Sequence, residues 1–300
     1  MTGLADVCAA LAGGAGAPMP WLAPYRRCGC GVAIEILAGR SVLQALNAAL
    51  QAQPVSMGGA RRLRFVEQCE RPDGVAYETF IARTGCVPTR DNLHDLFNGL
   101  VWLKFGRLKQ HLNALHAQEI ARNGIGGTRG AVRDALTLFD ENAALLQAPP
   151  VLVDALRQRD WQALFIHHRA AWQGARLTLF GHALLEKLAG PRKAITAHVW
   201  VLPQVFELGS FALGSGTHSM CPADVPNRYW PAGEPHLAMP VLGVPGWWPA
   251  NEDEGFYRDA AVFRSAAPRR GVHATSVGGR SLNPHNRPYH SARDPSRLKD

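Results

Sequence analysis

The sequence lacks the short motifs that would name a common catalytic machine. It has no G-x-S-x-G elbow, no G-x-x-x-x-G-K-[ST] loop, no H-E-x-x-H helix and no G-x-G-x-x-G fingerprint behind a strand. The run NGIGGTRG at 123–130 has its glycines in the wrong frame for a phosphate cradle and reads as a flexible loop. Cysteine is sparse and irregular, at Cys8, Cys28, Cys30, Cys69, Cys86 and Cys221. Cys28-Gly-Cys30 is not C-x-x-C, and no second pair completes a zinc set. Free thiols in a reducing cytoplasm follow, with a metal site on Cys28 and Cys30 as the alternative. No apolar run approaches the roughly 18 residues of a membrane span. The opening MTGLADVCAALAGGAGAPMP has Asp6 where an export signal would carry Lys or Arg, so it reads as a short helix or a disordered start.

What is present is an ordinary globular composition, 47% hydrophobic and 19% charged over 300 residues, enough chain to bury a sizeable core. The net charge of +8 invites a nucleic-acid partner. Its distribution argues otherwise. Residues 265–300 hold seven Arg or Lys against two Asp, leaving the body, 1–264, at only +3. The tail is poor in large aliphatics and is expected to be disordered and basic. The expectation is a single helix-rich α+β domain over 1–264 with a small sheet, followed by that tail.

Within the body, SVLQALNAALQA predicts a helix that Ser41 caps, with Gln44 completing a capping box. RRLRFVEQ and VAYETFIARTG predict two strands around the turn Pro72-Asp73-Gly74, and CVPTR a loop. RDNLHDLFNGLVWLKFGRLKQHLNALH predicts two helices that break at Gly106. ALTLFDENAALL predicts a strand, a turn at Asp140-Glu141-Asn142 and another strand, with a helix as the alternative. PPVLVDALRQRDWQALFIHHRAAW predicts two helices, with His167 and His168 as surface or boundary residues, and ARLTLFGHALLEKLAG another helix. HVWVLPQVF predicts a late strand, and Gly209 to Gly255 extended loops.

The chemistry is expected where polar residues interrupt apolar helices. Residues 93–105 are apolar nearly all round, the pattern of a buried helix. Yet His94 and Asn98 share one side, with Asp95 and Trp102 adjacent. Buried imidazole and amide groups need partners. Lys109, Asn113 and His116 form a stripe at i, i+4, i+7 on the next helix. If the helices fold back around Gly106, these groups converge into a site able to orient an anionic or carbonyl group and to move protons near neutral pH. In that reading His94, Asn98 and His116 are catalytic, and Lys109 and Asn113 bind substrate. The bland alternative is that Asp95 only serves the helix dipole, Asn92 only caps and Lys109 only snorkels.

Other pieces carry weaker signals. Asp140-Glu141-Asn142 is either plain turn chemistry or supplies one or two carboxylates, Asp140 foremost, for a metal or a general base. His182 and Glu186 at i, i+4 permit joint metal ligation, or make an ordinary surface pair. In PVLGVPGWWPANEDEGFYRDAAVFR, Trp247 and Trp248 either plug the body or wall a ligand site beside Asn251.

Four stretches carry a family resemblance: VPTRDNLHDLFNGLVWLKFGRLKQHLNALH, RGAVRDALTLFDEN, LFGHALLEK and PVLGVPGWWPANEDEGFYRDAAVFR. Together, over residues 77–264, they resemble a bacterial family of domain of unknown function 3025. The family usually has Pro where Gly106 stands and Gly where Ala143 follows DEN. The resemblance implies domain limits and marks the same motifs, and it implies no activity. Residue chemistry therefore carries the functional expectation. It is a cytoplasmic hydrolase-type enzyme, acid–base or metal-assisted with a divalent cation, acting on a small or anionic substrate. A nucleic-acid-binding protein acting through the tail and a non-catalytic scaffold stay open as alternatives.

Overall fold

The computed structural model describes residues 3–14, 19–58, 60–124, 130–203 and 236–265. The expected basic tail, the centre of NGIGGTRG, Cys221 and most of the stretch from Gly209 lie outside the described residues. The described residues belong to the unit Met1–Ala266. The architecture is helix-rich α+β with small sheets. No helix among the described residues is long and apolar enough to cross a membrane.

Three helices open the chain: α1 (Leu4–Leu11), α2 (Arg26–Leu37) and α3 (Val42–Ala52). The start of α3 follows its sequence signal. The Ser41 hydroxyl accepts from the Gln44 amide at 3.2 Å, and the Gln44 side chain accepts from the Ser41 amide at 3.1 Å.

Next comes a β–α–β unit: β1 (Arg64–Glu67), α4 (Tyr77–Thr84) and β2 (Cys86–Thr89), with β1 and β2 parallel. Two expectations are corrected here. VAYETFIARTG is mainly helix, because Ile81 is its buried contact and Gly85, at φ 73°, ends it with a left-handed cap bonded to the Ile81 carbonyl. CVPTR is mainly strand. Pro88 is tolerated there because the two-stranded sheet leaves one side of β2 without a ladder to supply.

The long apolar segment forms α5 (Leu93–Asn123), 31 residues interrupted at Phe105, whose φ of −120° and ψ of 36° are not helical. The expected break at Gly106 is thus a kink one residue earlier, at Phe105, between the two helical halves of α5. Gly106 fits because an added Cβ would strike the Val55 side chain. Asn92 caps the helix, its Oδ1 accepting from the Asp95 amide at 2.8 Å.

A four-stranded sheet of order β4-β3-β5-β6 follows, from β3 (Ala143–Gln147), β4 (Arg176–Leu179), β5 (Thr196–Val201) and β6 (Leu237–Pro240). β3 pairs antiparallel with β4 and parallel with β5, and every one of its residues is buried, as an apolar run without alternation implies. ALTLFDEN is therefore not a strand. It belongs to α6 (Ala131–Asn142), whose Leu136 and Phe139 face the core, and β3 starts only after Asn142. ARLTLFGHALLEKLAG is likewise split, into β4 and α8 (His182–Ala189). Between β3 and β4 lie α7 (Pro150–Gln158) and irregular helical turns through Gly174.

Four aromatic rings bind these parts beneath the site. Phe105 packs on Phe180 at 5.5 Å, Phe180 on Phe139 at 5.1 Å, and Phe139 on Trp200 at 4.7 Å. This ladder ties the α5 kink, the β4–α8 junction, α6 and β5 together.

Candidate functional site

Parts of α4, β2, α5, α6 and α8 and the turn before α4 meet at one cavity of about 360 Å³, a size within the range of small-molecule sites. α5 contributes His94, Asp95, Asn98, Trp102, Lys109, Asn113 and His116 to its wall. A straight helix would hold positions 94 and 116 roughly 33 Å apart. The Phe105 kink bends α5 so that both line the same space. The end of α6 adds Asp140 and Glu141, and the first residue of α8 adds His182.

The α6 and α8 ends are held in register by backbone. The amides of Phe180 and Gly181 both donate to the Ala143 carbonyl at 2.9 Å. Gly181 lies so close to the backbone of Glu141 and Asn142 that no Cβ could be placed there. Lys187 adds a bond to the Asn142 side chain at 2.9 Å.

The histidines are the best-defined part. His94 Nδ1 lies 2.8 Å from Glu186 Oε2, and the carboxylate makes that nitrogen the donor. His182 Nδ1 lies 2.9 Å from the Asp140 backbone carbonyl, which can only accept. Each ring therefore keeps Nε2 for another partner. His182 Nε2 is 3.7 Å from Glu141 Oε1, and the two imidazoles stand edge to face with centroids 4.6 Å apart. One donor atom each from His94, Glu141 and His182 lies within 4.8 Å of the others, a set able to hold a metal ion. Burial pushes His182 down to about 4, so its imidazole is neutral at pH 7. Burial, then the Asp140 carboxylate, pushes Glu141 up.

Lys109 is 5% exposed and binds both Asp140 oxygens, at 2.7 and 2.8 Å. Burial works to raise the Asp140 carboxyl, but Lys109 and His182 outweigh it and hold it below the usual range. Asn98 Nδ2 donates to the Tyr77 hydroxyl at 3.0 Å. Burial pushes His116 down against the opposing pull of Glu78 and Asp140.

The expected α5 residues His94, Asn98, Lys109, Asn113 and His116 therefore share one cavity, but several expected roles change. Asp140-Glu141-Asn142 ends a helix and is not a hairpin tip. Asp140 faces Lys109, while its neighbour Glu141 completes the histidine pair. His182 and Glu186 are not a surface pair: His182 is buried, and Glu186 holds His94 instead of joining His182. Trp247, Trp248 and Asn251 are not among the cavity-lining residues. Trp247 packs against Trp21 at 6.1 Å, and Trp248 rests on the core. Asn251 spends its amide on the Leu242 and Val244 carbonyls at 2.8 and 2.7 Å, so this stretch closes the body from outside. Sequence reasoning left open whether Glu141 joins Asp140 as a functional carboxylate, and it missed Arg71, Tyr77 and Arg90, which tertiary packing brings to the wall.

No curated protein and no solved structure matches the chain. A family model does match, over residues 63–267, more than half of the chain, and it takes in β1 as well as the stretches that carry the site. The chain belongs to the family described as Protein of unknown function (DUF3025).

Proposed function

We propose that this protein is a hydrolase that holds a divalent cation between His94, His182 and Glu141 and cleaves a small polar substrate in the adjoining cavity. One observation carries the reading. Glu186 and the Asp140 carbonyl each engage the Nδ1 of one imidazole, which leaves Nε2 as the available lone pair of each ring, and one ligand atom from each of His94, His182 and Glu141 lies within 4.8 Å of the others. Ligating histidines have such outer partners, which fix the tautomer and the ring direction. Two histidines and a carboxylate are also the donor set of many hydrolytic zinc sites. A bound divalent ion would supply Lewis acidity and a nucleophilic water at neutral pH.

The chain's own residues would do the remaining work. The Lys109–Asp140 pair pins the end of α6 to α5, and so directs Glu141, the next residue, toward the histidines. Tyr77, Asn98 and His116 offer neutral hydrogen-bonding groups for orienting a substrate. The free thiols of Cys8, Cys28, Cys30, Cys69 and Cys86 are in keeping with a cytoplasmic setting.

Elemental analysis and calorimetric titration with zinc, manganese and iron(II) test the reading. One equivalent should bind the native protein and be lost from His94→Ala, His182→Ala and Glu141→Ala variants that keep the native circular dichroism. A native protein that takes up none of these ions at one equivalent would sink it.

A further inference from the structure

Three cationic side chains reach the cavity wall, Arg71, Arg90 and Lys109, and two are neutralised in place. Lys109 gives itself to Asp140, and Arg90 meets Asp95 through Nε and Nη2 at 3.0 and 3.3 Å. Arg71 pairs with no carboxylate among the described residues. Its one hydrogen bond there runs from Nη1 to the Val75 carbonyl at 2.5 Å, which fixes the side chain across the turn before α4. Nε is buried and has no partner. The neighbouring carboxylate of Glu78 acts on His116 and Tyr77.

A guanidinium held in one orientation with unused N–H groups is the usual means of binding a planar or tetrahedral oxygen anion. Other polar groups around the same cavity are unmet as well, among them the acceptor Asn98 Oδ1 and His116 Nδ1. Trp102 Nε1 is a second buried donor without a partner, on a side chain 1% exposed that lines the same cavity. Buried N–H groups left unmade are expensive, so two on one wall point to acceptors that arrive with a ligand.

We infer that Arg71 anchors an anionic oxygen group, carboxylate or phosphoryl, on the substrate. The inference rests on the proposed hydrolase for what happens to that substrate, but the anchoring itself needs no metal. It also moves the anion-binding role from Lys109, whose charge is already consumed, to a residue outside the polar stripe of α5.

Nuclear magnetic resonance of the arginine Nε–H signals on the full chain tests it, with the Arg71 signal assigned by its absence from Arg71→Lys. In metal-free protein at constant ionic strength, sodium acetate or inorganic phosphate should shift that signal saturably, and neutral acetamide should not. A response to phosphate alone assigns a phosphoryl group, and one to acetate alone a carboxylate. By calorimetric titration, which does not need the Arg71 signal, Arg71→Lys, which keeps the charge but not the fork, should bind the effective anion at least about tenfold more weakly, or about 1.4 kcal/mol. Arg71→Gln should lose binding outright, with the native circular dichroism as the control on both variants. The inference is overturned if neither anion saturates, if acetamide shifts the signal equally, or if both variants bind like the native protein. Zinc titration of the same samples separates the two proposals: saturable anion binding without zinc binding would remove the metal reading and leave the anchor.

Discussion

His94 Nδ1 and Glu186 Oε2 lie 2.8 Å apart although 92 positions separate them in the chain. The bond joins the first turn of α5 to the middle of α8 and sets which nitrogen of His94 keeps its lone pair. Removing an outer carboxylate of this kind typically weakens a metal site about 10- to 100-fold. We expect that loss of zinc affinity in Glu186→Ala, read by competition with a chromophoric chelator. Glu186→Gln, which keeps an acceptor oxygen, should lie between Ala and the native protein. Equal affinity in all three would remove Glu186 from the site.

Lys109→Met should strand the Asp140 carboxylate without its cation. Breaking one side of a buried ion pair costs about 3 kcal/mol or more, whereas replacing both partners is much milder. Urea denaturation should therefore show a large loss for Lys109→Met and a partial recovery in Lys109→Met/Asp140→Leu.

Gly181→Ala puts a methyl group into the Glu141–Asn142 backbone, where there is no space for it. We expect roughly 1–3 kcal/mol of destabilisation, as for overpacked cores. Metal affinity should fall as well, because Glu141 must move. Ser41→Ala is the matched control. It removes a helix cap that does not line the cavity and should cost about 1 kcal/mol with no effect on metal binding.

Acid should destabilise the fold partly through His198. Burial, then the nearby His236 and Lys187 charges, pushes this imidazole down to about 4, below its value of about 6.5 in an unfolded chain. Between those values the unfolded state binds more protons, so stability is complete above pH 6.5 and declines as pH falls toward 4. The urea midpoint of His198→Asn should fall less than that of the native protein over this window. Parallel curves would show that His198 contributes nothing.

Local chemistry was readable in the sequence, and distant partnership was not. The Ser41–Gln44 box and the Asn92 cap need only neighbours a few residues away. The polar residues at 94, 98, 109, 113 and 116 stood out because each interrupts an apolar helix, a conflict that burial must resolve. Residues 77–84 misled because their apolar positions satisfy a period of two as well as the helical one, and the deciding cap, Gly85, was absorbed into a strand. The assignment of Glu141 to the histidines and of Asp140 to Lys109 depends on the turn at which α6 stops, which composition does not specify. Arg71 carries no local signature, since its distinction is a missing carboxylate partner in three dimensions.

The putting together of His94, Glu141 and His182 from segments more than forty positions apart has a consequence for heat resistance. An ion seated among them would act as a removable staple across three separate stretches of backbone. With free ion at a hundred times its dissociation constant, loading would add about 2.7 kcal/mol to the unfolding free energy. A chelator should therefore lower the melting temperature of the native chain and leave that of the Glu141→Ala chain where it was.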